Sequence, residues 1–283
     1  MISTQEENTI DDDQSDLILN AISERTDKTL ALINSYNLFI LNTRRQSSNN
    51  RSLLHLCVGQ AWSKAVALLL KRSIDVNVID AEQNTPLMLA LNLSKTEIFQ
   101  RLLAYDNIDI NYQRAHDGFN VLHLSIINER DRFVKILLRQ SKHRLNLNLT
   151  THTKKNFLHL LAEMKCAKCW KIIRKFSFDD QLWQAKDNQG RTPLLIALIR
   201  WPYSSFTRHL LRRLLHLSSN SLVLDDIHGK TILHWSIFNH HLVKLIIDNQ
   251  CLRLSNIKDR SGKIPFDYAY DQQLWKSMKY LRV

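Results

Sequence analysis

With 283 residues, 44% of them hydrophobic and 23% charged, the chain has the composition of a folded protein rather than a disordered one, and its length admits one large domain or two ordinary ones. Its longest apolar runs, such as Leu194 to Ile199, fall far short of the ~18 residues a membrane-spanning helix needs, the opening Met1-Ile2-Ser3-Thr4-Gln5 lacks the basic and apolar stretches of a secretory signal, and four scattered cysteines suit a reducing compartment, here the cytoplasm. The formal charge of +12 hides an asymmetry: Glu6, Glu7, Asp11, Asp12, Asp13 and Asp16 crowd the stretch from Met1 to Asp16 with no base among them, which leaves 39 basic against 21 acidic side chains, +18, on the rest.

In chain order, residues 1–15 are acidic and nearly free of large apolar side chains, the composition of a disordered tail. Residues 16–48 read as a helix pair, with Leu17, Ile18 and Ile22 followed by Leu30, Leu32 and Ile33, and form a divergent N-terminal helical cap or repeat. Beyond residue 49, rare glycines and prolines punctuate the chain at recurring places. Gly118, Gly190, Gly229 and Gly262 stand two residues before Asn120, Thr192, Thr231 and Ile264, and Pro86, Pro193 and Pro265 directly follow Thr85, Thr192 and Ile264. Glycine supplies the positive φ of a tight turn, Ser, Thr or Asn caps a helix start, and proline suits the first helical position, where no amide donor is required.

The capping residues Ser52, Thr85, Asn120, Asn156, Thr192, Thr231 and the degenerate Ile264 follow one another at spacings of 33, 35, 36, 36, 39 and 33. An apolar stretch follows each full cap, such as Leu53-Leu54-His55-Leu56-Cys57 or Ile232-Leu233-His234-Trp235-Ser236, and predicts a short first helix. A second helical pattern comes next, as in Val66, Leu69 and Leu70 or Phe133, Val134, Leu137 and Leu138. Asp75-Val76-Asn77 and Asp109-Ile110-Asn111 then lead out of the second helix. The long spacing from Thr192 to Thr231 implies an insertion near Trp201-Pro202-Tyr203, where proline ends the helix. Residues 271–283 form a closing helical cap, with Trp275 and Tyr280 over the end of the core.

This pattern resembles the ankyrin-repeat family, whose repeat is a β-turn plus two helices with a Thr-Pro-Leu-His-x-Ala signature over about 33 residues. The resemblance spans residues 49–270, about six full repeats and a partial seventh, although Thr85-Pro86-Leu87 lacks the histidine, Leu233-His234 lacks the proline, and Met88 and Leu195 stand where the histidine belongs. It implies an all-α ankyrin-repeat solenoid of helix-turn-helix units with short β-turn tips. It also implies a non-enzymatic adaptor or inhibitor that binds a folded protein through a concave surface of tips and first helices. Stand-alone arrays in the family include effectors that intracellular bacteria deliver into host cells, which extends the expected location to a host cytoplasm or nucleus. Asn77 and Asn111 lie in a pattern similar to the family's asparagine-hydroxylation context.

Several constellations invite a chemical reading. His55, His123, His159 and His234 recur at one repeat position, but repeats stack about 10 Å apart whereas zinc needs its ligands about 2 Å from one centre; the resemblance makes them bridges between neighbouring backbones. Cys166-Ala167-Lys168-Cys169 has the spacing of half a zinc site with no second pair nearby, since Cys57 and Cys251 belong to other repeats, and His240-His241 falls at a helix–helix turn. Motifs for acyl transfer, phosphate cradling, zinc hydrolysis and dinucleotide binding are absent, so no catalytic residue, cofactor or metal is expected. The partner-binding candidates are the tip cations Arg114, Lys154, Lys155, Arg191 and Lys230, with Arg260 and Lys263. To these are added the cluster of Arg208, Arg212, His209, Arg213 and His216, and the aromatic residues Trp62, Trp201 and Tyr203. The partner they suit is a folded protein with an acidic surface, bound by a monomer; nucleic acid or anionic lipid drawn by the basic body is the alternative.

Overall fold

Left-handed residues set the repeat. The computed structural model describes residues 21–43, 49–140, 144–215, 226–249 and 252–282, and the regular structure among them is helical throughout. Two residues before every one of the seven caps the chain takes a positive φ: Asn50 (52°), Gln83 (59°), Gly118 (75°), Lys154 (58°), Gly190 (70°), Gly229 (74°) and Gly262 (79°). Four of those positions carry the glycine that relieves this conformation, and three hold a side chain in it. A second set falls nine residues after the cap, at Ala61, Ser94, Glu129, Lys165 and Gln273, and reverses the chain between the first and second helix. The Thr192 and Thr231 repeats lack that second left-handed residue, having Trp201 at φ −139° and a helical His240 there.

Each cap closes as its residue type dictates. The backbone N–H of Met88 donates to Thr85 Oγ1 (3.3 Å), that of His123 to Asn120 Oδ1 (2.9 Å), that of His159 to Asn156 Oδ1 (3.1 Å) and that of Leu195 to Thr192 Oγ1 (3.4 Å). Ile264 has no acceptor to offer, and Asp267 supplies the reverse half of the cap by accepting from the Ile264 N–H (2.9 Å).

The expected β-turn tips are corrected here, because the described residues contain no β-strand. A buried carboxylate takes the place of a pairing strand. Asp80, Asp187, Asp226 and Asp259, each five residues before a cap, accept the N–H groups two and four residues onward at 2.8–3.1 Å. Single backbone bonds then link consecutive tips, from Ala81 to Asn49 (2.9 Å), Asn188 to Thr153 (3.0 Å), Ile227 to Gln189 (3.1 Å) and Arg260 to His228 (2.9 Å). With its amides satisfied by its own aspartate, a tip has one bond left for its neighbour and builds no ladder.

The chain divides into two compact units, residues 1–124 with 136–145, and residues 125–135 with 146–283. In the first, Leu53–Gly59 packs on Pro86–Asn92, while Asp27–Ser35, Ser63–Lys71 and Thr96–Leu103 pack in turn behind them. Ile33, Leu53, Leu69, Leu87 and Phe99 are at most 1% exposed between these layers, each contributing roughly 1.5–3 kcal/mol of burial. His55 Nε2–H donates to the Asn84 carbonyl of the next repeat (2.9 Å). The acidic segment 1–15 and the apolar pair Leu17 and Ile18 lie outside the described residues.

In the second unit the first helices Phe157–Met164, Pro193–Arg200, Ile232–Ser236 and Pro265–Asp271 pack in succession. Behind them lie Ala167–Ile173, Ser205–Leu215, His240–Asp248 and Trp275–Leu281, with a short extra helix at Asp180–Gln184. Counted from its cap, the second helix of the Thr192 repeat begins two positions later, at Ser205, than those of the Ser52, Thr85, Asn120 and Asn156 repeats, which begin at Ser63, Thr96, Asp131 and Ala167. Trp201-Pro202-Tyr203 fills the difference and ties three repeats together. Trp201 Nε1–H donates back to the Ala162 carbonyl (3.1 Å), Tyr203 Oη–H donates forward to the Phe238 carbonyl (2.5 Å), and the Pro202 carbonyl accepts from Asn239 Nδ2 (2.8 Å). At the last helix Met278 and Leu281 are buried, whereas Trp275 is 66% exposed, so the aliphatic side chains and not Trp275 close the core.

Candidate protein-binding surface

Most of the tip cations are engaged within the chain. Arg191 grips Asp187 through two nitrogens at 2.7 and 3.0 Å, Arg114 pairs with Asp117 and lies 5.6 Å over the Phe119 ring, and Lys155 meets Glu163 at 2.6 Å. Glu163 also receives Arg200 (2.9 Å), and Lys263 reaches Asp271 (2.7 Å). Burial pushes the Asp187 carboxyl up, but the Arg191 guanidinium and the tip N–H groups outweigh it and hold the group below the ordinary carboxylate range. Asp259 is held low in the same way, burial being overcome by the Ser261 and Tyr268 hydroxyls and the tip amides. These cations stiffen their own turns, while Lys154 and Arg260 remain exposed at the tips.

Lys230 has a different setting. Its ammonium stands 4.4 Å from the Tyr268 ring centroid and 5.1 Å from that of Trp235. Trp235 Nε1–H donates to Asp226 Oδ2 (3.2 Å) and Tyr268 Oη–H to Asp259 Oδ2 (2.5 Å), so the carboxylates that shape two tips also orient two aromatic rings. With Phe238 and Gln272 these side chains line a cleft of about 100 Å³ that runs from the tip along the first helices to the helix–helix turn. Phe238 is 44% exposed in the cleft, and Tyr203, whose hydroxyl donates to the Phe238 carbonyl, is 71% exposed beside it. Sequence reasoning passed over Trp235 and Tyr268, yet the signal was there: both stand four residues after a cap, where the other repeats place Leu56, Leu89, Leu124, Leu160 and Ile196.

The remaining candidates take varied positions. Trp62 is 7% exposed and caps Ser63–Lys71 from within the core, offering no face to a partner. Trp201 is half-buried, with Lys165 Nζ 4.5 Å over its ring. Arg208 and Arg212 are exposed and line a cavity of about 270 Å³ with His241 and Leu245. The side chains of His209 and Arg213, and residue His216, lie outside what is described. Asn77 spends both ends of its amide on the next repeat, donating to the Asn107 carbonyl (2.8 Å) and accepting from the Asp109 N–H (2.7 Å), and Asn111 donates to the Arg144 carbonyl (2.8 Å).

The histidines bridge backbones. His159 Nε2–H donates to the Arg191 carbonyl (3.0 Å) and His234 Nε2–H to the Lys263 carbonyl (3.2 Å), while Nδ1 of each accepts the N–H of its own cap. Burial depresses both rings, His159 to about 4. Cys166 caps Ala167–Ile173, its Sγ accepting the Cys169 N–H (3.3 Å), and a hydrogen bond from the Cys169 thiol lowers it to about 7; Cys251 lies outside the described residues. Among the described residues no group of three or more His, Cys, Asp or Glu side chains is placed to hold a metal ion, and no helix is long and apolar enough to cross a membrane.

Comparison with known proteins agrees with this architecture. A family model described as ankyrin repeats in three copies matches residues 17–114 and again 54–150. The chain is 28% identical over 193 residues to inversin of Canis lupus familiaris, covering 65% of this chain and 17% of that protein, and 27% identical over the same span to inversin of Homo sapiens. It is 26% identical over 162 residues to the nuclear factor NF-kappa-B p105 subunit of Gallus gallus, 55% of this chain and 16% of that one. The chain thus spans about a sixth of the length of these relatives. In fold it is similar to the crystal structure of the ankyrin repeat domain of Bcl-3, with a TM-score of 0.65 at 19% identity, covering 81% of this chain and 97% of that one. The repeat geometry, the family match over residues 17–150 and these likenesses show that the chain carries ankyrin repeats and is built of all-α helix-turn-helix repeats.

Proposed function

We propose that the chain is an adaptor or inhibitor that holds a folded protein against the tip-and-first-helix face of its second unit, centred on Lys230, Trp235, Tyr268 and Phe238. The supporting observation is that Trp235 and Tyr268 are held by buried tip carboxylates before any partner arrives. Pre-oriented aromatic rings lose little rotamer freedom on binding, and Trp, Tyr and Arg dominate interface hot spots. A standard interface covers about 800 Å² per partner, enough to reach outward to Tyr203, Tyr270 and the exposed cations Lys154 and Arg260. Those cations favour a partner with an acidic surface. Nucleic acid or anionic lipid is the weaker reading, because Arg114, Lys155, Arg191 and Lys263 already have acidic partners within the chain.

Affinity purification with mass spectrometry tests this, comparing the wild type with a Trp235→Ala, Phe238→Ala double variant. Loss of two central aromatic anchors at about 2 kcal/mol each weakens binding roughly 30-fold per anchor, on the order of 900-fold together, so the wild-type partners drop out. Retention of the same partners by the variant excludes this face. Capture of nucleic acid whose binding falls steeply between low and moderate salt transfers the function to the basic body.

A further inference from the structure

The second unit carries another recess, away from the aromatic cleft, between Ala167–Ile173 and the start of Ser205–Leu215. The insertion at Trp201-Pro202-Tyr203 accounts for it. Relative to its cap, Ser205 opens its helix two positions later than Ala167 does, so the two second helices begin out of step and leave a gap of about 250 Å³. Its floor is apolar: Leu161 at 1%, Trp170 at 7% and Phe206 at 9% exposure, the last two edge to face with centroids 4.9 Å apart. Its rim is cationic, with Lys165, Lys171 and Arg174 all exposed. No acidic side chain lines it, and among the described residues none of these three cations has a carboxylate partner. Glu129 and Asp131, which act electrostatically on Cys166, belong to the preceding helix–helix turn and not to the lining.

We infer that this recess is a second docking site, for a short acidic peptide that seats one large apolar side chain beside Trp170 and Phe206 and meets Lys165, Lys171 and Arg174 with flanking carboxylates. The volume decides the kind of guest. Small-molecule and cofactor sites occupy about 300–1,000 Å³, and a smaller gap suits a single Leu or Phe side chain. The three rim cations set the charge of what surrounds that anchor, since opposite charges at a rim steer and select a ligand.

The test is selection of a random phage-displayed peptide library on the full chain, followed by fluorescence polarisation with the enriched peptides. Enrichment of a Leu, Phe or Trp flanked by Asp and Glu is expected, with affinity falling several-fold between about 50 and about 300 mM salt. Two variants at exposed positions, which spare the fold, must each weaken these peptides at least tenfold: Lys171→Glu with Arg174→Glu, which reverses the rim, and Ala167→Trp, which fills the gap. Trp235→Ala leaves them bound, so this site and the aromatic face fail independently. Failure to enrich any peptide, enrichment without acidic bias, or unchanged binding by either variant overturns the inference. Binding that emerges only when residues 1–16 are deleted overturns it too, and assigns the recess to the chain's own acidic N-terminus.

Discussion

Mild acid should loosen the second unit through His159 before it protonates Asp187 or Asp259. The ring is fully buried, donates through Nε2 to the Arg191 carbonyl and accepts through Nδ1 from the Asn156 N–H, a set that suits the neutral form. Burial brings the group down from 6.5 to about 4, although the Arg191 carbonyl and Asp187 pull the other way. In the unfolded chain the imidazole takes its proton near pH 6.5, and in the folded chain only near pH 4, so across that window the unfolded state binds more protons and stability falls as pH falls. At about 1.36 kcal/mol per pH unit the full loss is about 3 kcal/mol, of which about 2 kcal/mol is gone by pH 5; below pH 4 this contribution changes no further. Asp187 and Asp259, whose carboxyls are held low, give up their stabilisation only below the ordinary carboxylate range, which leaves pH 7 to 5 clear of both, while His234, also depressed by burial, titrates alike in wild type and variant. Urea unfolding at both pH values, followed by the fluorescence of Trp170 and Trp183 in the same unit, reads the effect. His159→Gln keeps an N–H for the Arg191 carbonyl and removes the titration. The variant should therefore lose about 2 kcal/mol less than the wild type between pH 7 and pH 5. Equal losses in the two proteins would refute the assignment.

Gly190→Ala should cost about 1–3 kcal/mol in chemical denaturation, since the residue sits at φ +70° and its Cβ would come within 3.1 Å of the Ile227 nitrogen in the next tip. Lys154→Gly should raise the melting temperature, relieving a non-glycine residue at φ 58° for a net gain of about 0.5–1 kcal/mol; an unchanged or lower value shows that the Lys154 side chain contributes there. Trp201→Ala removes the indole bond to Ala162 and the ring under Lys165, and should destabilise the second unit by about 2 kcal/mol in the same urea assay, with no change expected in the first.

What could be read from the sequence was whatever residue type alone decides. Thr85-Pro86 and Thr192-Pro193 announce a capped helix because cap and proline act through their own atoms, and the structure places helix starts at both. Glycine marks four of the seven left-handed tip positions for the same reason. Asn50 is a weaker signal, since asparagine tolerates the left-handed region, but nothing in Gln83 or Lys154 advertises a positive φ, which the neighbouring tip bonds and cap impose on residues that do not prefer it. Misreading the tips as β-turns came from the family signature, whereas the cause lies in Asp80, Asp187, Asp226 and Asp259, whose short side chains satisfy the amides locally. Charge was legible in amount but not in disposition. Lys155 and Glu163 are eight residues apart and Lys263 and Asp271 likewise, a separation that periodicity within one helix does not connect, since each pair spans a tip and the end of the following helix. A count of cations therefore overstates the field available to a partner. The aromatic pair at Trp235 and Tyr268 shows the converse: it breaks a run of aliphatic residues at one repeat position, and in an array whose other positions maintain the stack, such a departure from the repeat is where binding specificity is free to reside.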